Sequence, residues 1–244
     1  MFFGCMALET LPQEFIIPNA EETQSMFSGC KNLNALPERF SLPKAKRIDG
    51  MFFECMSLET LPNAFSIPEA NVFHAVFSGC TNLETLPEGF SIPIAKHVRS
   101  MFKGCTKLTT LPEGFSLPIA THVEAMFQGC TNLKTLPEGF SVPEATNVNY
   151  MFWGCTALKK LPSGFIIPKA EYVISMFFEC TTLETLPEGF SIPNVINARS
   201  MFEGCTALEA LPQSFRIPQT IQDQIHSMFD GCTNFNINNI QISG

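Results

Sequence analysis

The chain has 244 residues, a formal net charge of −8, 45% apolar residues and only 16% charged ones. An acidic balance argues against a nucleic-acid partner, because phosphate binding needs clustered Lys and Arg. No apolar run approaches the ~20 residues that span a bilayer, so membrane insertion is not expected. A charged fraction well under the usual quarter suits units that each hide two faces against neighbours.

No signal peptide is read at the start, because Met1 and Phe2 already belong to a repeat. Cuts at Met1, Met26, Met51, Val76, Met101, Met126, Met151, Met176, Met201 and Met228 align the units without gaps to residue 220. The consensus is M-F-x-G-C-T-x-L-x-x-L-P-E-G-F-S-I-P-x-A-x-x-V-x-S, with places numbered 1 to 25. Residues 1–227 form nine such units, the ninth longer by two residues. Residues 228–244 form a partial tenth unit and a C-terminal cap.

Within a unit, place 25 is often Ser (Ser25, Ser100, Ser175, Ser200), a good N-cap for one tight helical turn over M-F-x-G-C. The L-P-E-G step predicts a β-turn with Pro at its second corner and Gly at its fourth. F-S-I alternates as a short strand does, and the second proline stops it. Places 2, 5, 8, 11, 15, 17, 20 and 23 should point inward. One unit cannot bury eight such residues alone, but a stack can. The fold expected is therefore a repeat solenoid, mainly short parallel β-strands with a short helical turn per 25-residue repeat.

Cys5, Cys30, Cys55, Cys80, Cys105, Cys130, Cys155, Cys180 and Cys205 keep a spacing of 25, and Cys232 follows after 27. A disulfide framework would mix its spacings, and a zinc site would show paired CxxC. One cysteine per unit at one phase reads as a column of buried free thiols.

The motif M-F-x-G-C-x-x-L-x-x-L resembles the BspA-like branch of bacterial leucine-rich repeats, including the related repeat of mycoplasma surface lipoproteins. The resemblance runs from Met1 to about Phe235. It implies a leucine-rich-repeat-like solenoid. It also implies a bacterial surface or secreted protein that adheres to another protein, host or extracellular. The P-E-G turn before F-S-I-P is an insertion relative to that family.

His97 and His122 share place 22 in adjacent units, so their backbones should lie about 5 Å apart. With Glu124, and His74 on the diagonal, they are the candidates for a zinc or copper site. The alternative is a polar ladder of stacked, hydrogen-bonded side chains. Nothing else in the repeat is tuned for a metal, and no metal or cofactor is expected. Glu38, Glu88, Glu113, Glu138 and Glu188 share place 13. They read as an acidic strip for a basic partner or as a solvated edge.

The only Trp and both Tyr fall between residues 150 and 172. Tyr150, Trp153, Tyr172, Ile174 and Phe178 should meet in two neighbouring columns. Trp and Tyr are enriched in binding hot spots, so these five are the candidate partner-binding residues. Local packing is the alternative, since Phe3 and Phe53 also occupy place 3. Places 3, 19, 21, 22 and 24 vary in size and charge, as a recognition surface would.

At the N-terminus, Met1 begins a full repeat with no polar cap, which offers an end for self-association. At the C-terminus, the tail from Asn236 to Ser243 reads as a last strand closing the stack. No phosphate-cradling glycine motif, G-x-S-x-G elbow or H-E-x-x-H is present, and no enzyme is expected. The function expected is a protein–protein interaction scaffold. The rivals are a structural spacer within a longer surface protein and a carbohydrate-binding module.

Overall fold

Two prolines per unit decide where the chain can bond to its neighbours, because places 12 and 18 have no N–H to give. The stretch from place 20 through the next unit's place 11 is free of proline, and there the units join. The computed structural model describes residues 1–243. Each 25-residue unit in it is one coil of a right-through stack.

The joining ladder is parallel. Glu22, Arg47, Val72, His97, His122, Asn147, Tyr172 and Asn197 bridge one another in succession, all at place 22. From the sixth unit into the seventh the pattern continues past the bridge. Val148 N–H donates to Tyr172 O at 3.0 Å, Tyr150 to Ile174 at 2.9 Å, Phe152 to Met176 at 2.9 Å and Gly154 to Phe178 at 2.8 Å. Over this stretch each coil gives N–H groups to the next coil's carbonyls.

The strand expected at F-S-I is elsewhere: regular pairing runs through place 22. At place 16 of the sixth unit a side chain substitutes for the backbone. Ser141 Oγ accepts from Ile166 N–H at 3.0 Å and donates to Ile166 O at 3.1 Å. Among the described residues, only the ninth unit pairs here as a strand. Its β1 (Ile217–Pro218) lies parallel to β2 (Ile242–Ser243), with Ile217 opposite Ile242.

The expected helical turn over M-F-x-G-C is a run of tight turns. Cys130 N–H donates to Phe127 O at 3.0 Å, and Leu133 N–H to Cys130 O at 3.1 Å. Place 25 is not an N-cap. Ser25, Ser100, Ser175 and Ser200 have φ between 50° and 56°, in the left-handed region. A left-handed residue breaks the in–out alternation, and places 1 and 2 both turn inward. Met51 and Phe52 are accordingly both fully buried.

The β-turn before F-S-I is shifted by one residue. Phe90 N–H donates to Pro87 O at 3.0 Å, which puts Pro at the first corner and Gly89 at the third. Gly89 has φ +81°, a conformation the third corner of a type II turn requires and glycine adopts without strain.

Inside the stack, the core places expected from the sequence are filled by columns of like residues. Phe rings at place 2 stack nearly parallel, from Phe2–Phe27 at 5.3 Å through Phe102–Phe127 at 5.8 Å. Place 15 makes a second column, such as Phe140–Phe165 at 6.1 Å, set edge-on to the first. Both spacings fall within the range aromatic pairs favour.

The two ends differ. In the first unit Met1, Phe3 and Met6 are exposed and Phe2 and Phe15 are only half-buried. After β1 the chain turns through a 3-10 segment (Gln219–Gln224) and α1 (Ile225–Met228), burying Ile221 and Met228. Gln224 Oε1 accepts the N–H of Ala198 at 2.8 Å, taking the place of the next coil's carbonyl. The tail expected as one strand is a 3-10 turn (Ile237–Asn239) followed by β2. No helix among the described residues is long and apolar enough to cross a membrane.

Candidate functional site

The ladder faces solvent through places 22 and 24 of one unit and place 3 of the next. Places 22 and 24 are two residues apart on extended backbone, so their side chains leave on the same side. Place 23 between them points into the core, as Val148 and Val173 do.

Three of the five aromatic and apolar candidates meet on this face. The Trp153 ring lies 4.9 Å from Phe178, one coil on, and 5.4 Å from Tyr150, three residues earlier. All three are half-buried and stand outside the hydrophobic core. Ile174 joins them through the backbone, because its carbonyl takes the Tyr150 N–H. Its own N–H donates to Asn149 Oδ1 at 2.7 Å. Tyr172 lies two residues before Ile174 on the same face, 38% exposed, in the bridge column between Asn147 and Asn197. Place 3 is not a core column: Phe3 is exposed and Phe53 half-buried.

Sequence reasoning did not single out the exposed isoleucines. Ile94 and Ile119 stand at place 19 of successive units, and Ile196 at place 21 is 52% exposed. Ile196 lines a shallow depression with Thr146, Lys169, Glu171 and Asn194. The signal was an apolar residue where the column is otherwise polar.

The histidines are a ladder. His97 and His122 are bridge partners with rings 4.8 Å apart, and the His74 ring is 6.4 Å from His97. His122 Nδ1 is 2.9 Å from the Thr121 hydroxyl. Glu124 turns to Arg99 instead, with 2.9 Å between Oε1 and Nη2. Among the described residues no group of three or more His, Cys, Asp or Glu side chains could hold a metal ion.

The thiols line one column. Eight of the ten cysteines are buried, Cys232 is half-buried and Cys5 is exposed. Each from Cys30 onward donates to the carbonyl of the place-2 Phe one coil earlier, such as Cys80 to Phe52 at 3.1 Å. Burial pushes the Cys55 and Cys130 thiols up to about 12, so they do not form the thiolate a nucleophile needs.

Comparison with solved structures gives distant likenesses. A leucine-rich repeat protein from Bacteroides ovatus is 20% identical with a TM-score of 0.38, covering 96% of this chain and 79% of that one. A leucine-rich repeat protein from Eubacterium ventriosum is 19% identical with a TM-score of 0.39, covering 90% and 64%. A leucine rich cell surface protein from Faecalibacterium prausnitzii is 17% identical with a TM-score of 0.29, covering 96% and 87%. No curated protein matches the sequence. A model of the family described as "Mycoplasma protein of unknown function, DUF285" matches residues 1–115, 96–215 and 121–242. As its repeat motif implied, the chain belongs to that family.

Proposed function

We propose that this protein is an interaction scaffold that holds another protein against the outer face of its ladder. Tyr150, Trp153 and Phe178 form the anchor, with Tyr172 and Ile174 beside them. The observation that carries this reading is the position of the chain's only tryptophan. It packs against two other aromatic rings outside the core, on a face whose neighbouring units carry Asn, Gln, Glu and Arg. Clustered aromatics with a polar rim are the usual make-up of a binding hot spot. The regular core keeps these side chains on rigid backbone, so little ordering is needed when a partner docks. The family resemblance supports a surface or secreted location and an extracellular partner. Catalysis is not part of this reading: the eight buried thiols are spent on core packing.

The test is binding of the wild-type chain and of Trp153→Ala and Tyr172→Ala to an array of purified extracellular and host-surface proteins. Loss of a hot-spot residue should weaken a genuine contact by about thirtyfold, with the melting temperature nearly unchanged. A folded Trp153→Ala that binds as well as wild type would remove the anchor and favour a passive spacer. Binding of sugars alone on a glycan array, lost in the same variants, would favour a carbohydrate-binding module.

A further inference from the structure

Place 3 forms a column on the outer face, and backbone hydrogen bonds fix its order. The carbonyls of Lys103, Gln128, Trp153, Phe178, Glu203 and Asp230 each accept the N–H of place 4 one coil earlier, at 2.7 or 2.8 Å. Successive rungs of such a ladder are about 4.8 Å apart. The sign of the column changes across the aromatic pair. Lys103 lies two rungs before Trp153, and Glu203 and Asp230 follow Phe178 directly.

A third carboxylate joins them. Place 4 is glycine in every unit except the third and the eighth, which carry Glu54 and Glu179. Glu179 is exposed, with φ 55° in the left-handed region that disfavours a side chain. Its Cγ lies over Gly204, where a Cβ added to that glycine would come within 3.3 Å of it. Glu179 therefore stands beside Glu203, the residue before Gly204. Asp230 is exposed and Glu203 half-buried. Among the described residues none of the three makes a salt bridge. The basic groups on the ladder face of these last units are Arg199 at place 24 and His226, which shares a shallow depression with Asp230. Neither is ion-paired among the described residues.

We infer that the partner held by the aromatic anchor carries a basic segment. A large apolar side chain covers Trp153 and Phe178, and Lys or Arg side chains farther along the same axis reach Glu179, Glu203 and Asp230. The inference rests on the anchor reading above and adds the sign of what lies next to it. The carboxylates adjoin the aromatic pair in an unbroken column, so one segment laid along it meets both. From the middle of the aromatic pair to the middle of Glu203 and Asp230 is two rungs, about 10 Å, which an extended chain crosses in about three residues. The third unit is the internal contrast. Phe53 and Glu54 repeat the Phe-Glu pair, but Ser28 and Ser78 flank Phe53 in the column, with neither a second ring nor a following carboxylate.

The probes are three fluorescent ten-residue peptides in a Gly-Ser background. Each has one leucine and, about three residues on, two adjacent lysines, glutamines or glutamates. Binding to the whole chain is followed by anisotropy, and the emission of Trp153, the only tryptophan, reports occupancy of the anchor. The lysine peptide should bind about fivefold more tightly than the glutamine peptide, and the glutamate peptide least, with the preference shrinking as salt is raised. Glu203→Gln/Asp230→Asn should lose most of that preference. Gln128 at place 3 shows that the coil accepts glutamine there. Glu179→Gly is the second variant should the first fail to fold. It should weaken lysine-peptide binding while raising the melting temperature, because glycine relieves the left-handed strain. A purely structural role for Glu179 would not separate those two readouts. Equal affinity for the lysine and glutamine peptides, with Trp153 emission responding to both, overturns the inference and leaves the anchor standing. An undiminished preference in a folded variant overturns it also. Emission that responds to none of the peptides removes the anchor and the inference together.

Discussion

The thiol of Cys130 donates a hydrogen bond at 3.0 Å to the carbonyl of Phe102, 28 residues earlier. The same bond recurs from Cys30–Phe2 at 3.0 Å to Cys232–Phe202 at 2.9 Å. It explains why the column holds cysteine and not alanine or valine: the site is small and apolar, yet has an acceptor to satisfy. Cys130→Ala should therefore cost about 1–2 kcal/mol, a lost buried hydrogen bond plus a small cavity. Urea unfolding of the two proteins measures it. An unchanged midpoint would mean that the thiol only fills space already tolerant of a void.

Thiol chemistry should separate the cysteines by position. Burial raises the pKa of Cys55 and Cys130 to about 12 and that of Cys232 to about 11. In the native protein at about pH 8, a disulfide reagent should modify Cys5 quickly and Cys232 slowly, and the eight buried thiols only after unfolding. Several fast thiols in the native state would show that the coils open more freely than the packing suggests.

Glycine at place 4 holds a left-handed backbone, as Gly129 does at φ +73°. A Cβ there would meet nothing nearer than the Gly104 backbone at 3.8 Å, so there is room. The cost of Gly129→Ala is conformational and should be about 1–2 kcal/mol. Gly129→Asn should cost less, since Asn tolerates this region. Thermal melts rank them, and a worse result for Asn would mean that crowding, not φ, sets the cost.

Acid should weaken the fold through His97. Its pKa is lowered by burial first, then by His122, His74 and Arg99. The folded state then binds the proton less readily than the unfolded chain. Stability should fall as the pH drops through about 6.5, where the unfolded histidine titrates, and level off below the folded value. His97→Asn should flatten that part of the melting-temperature profile. Parallel profiles for the two proteins would show that carboxylates alone set the acid sensitivity.

The 25-residue period made the core legible, because Phe27, Cys30, Leu33 and Phe40 recur at fixed phase and need only a stack to become columns. The aromatic site was legible for the same reason: Trp153 and Phe178 hold the same place one unit apart. The local path was harder. Ser25 and Ser100 look like N-caps, but their left-handed backbone comes from the ladder that fixes both neighbours. Met51 was not assigned to the core because that kink, invisible in the residue types, rotates place 1 inward. F-S-I alternates as a strand should, yet the flanking prolines leave it few donors, and pairing moves to the proline-free stretch at place 22. Charged and polar letters such as Glu22, Arg47 and Asn147 gave no strand signal there, because only place 23 between them needs to be apolar.

The central claim is that successive coils bond in one register along a single ladder. Residue-resolved hydrogen exchange tests it most directly. Slow amides should recur every 25 residues at places 23, 25, 2 and 4, as at Val148, Tyr150, Phe152 and Gly154, while the amides at places 13 and 14 of the Pro-Glu-Gly turns exchange fast. Protection without that period, or concentrated at F-S-I, would contradict the ladder and the faces built on it.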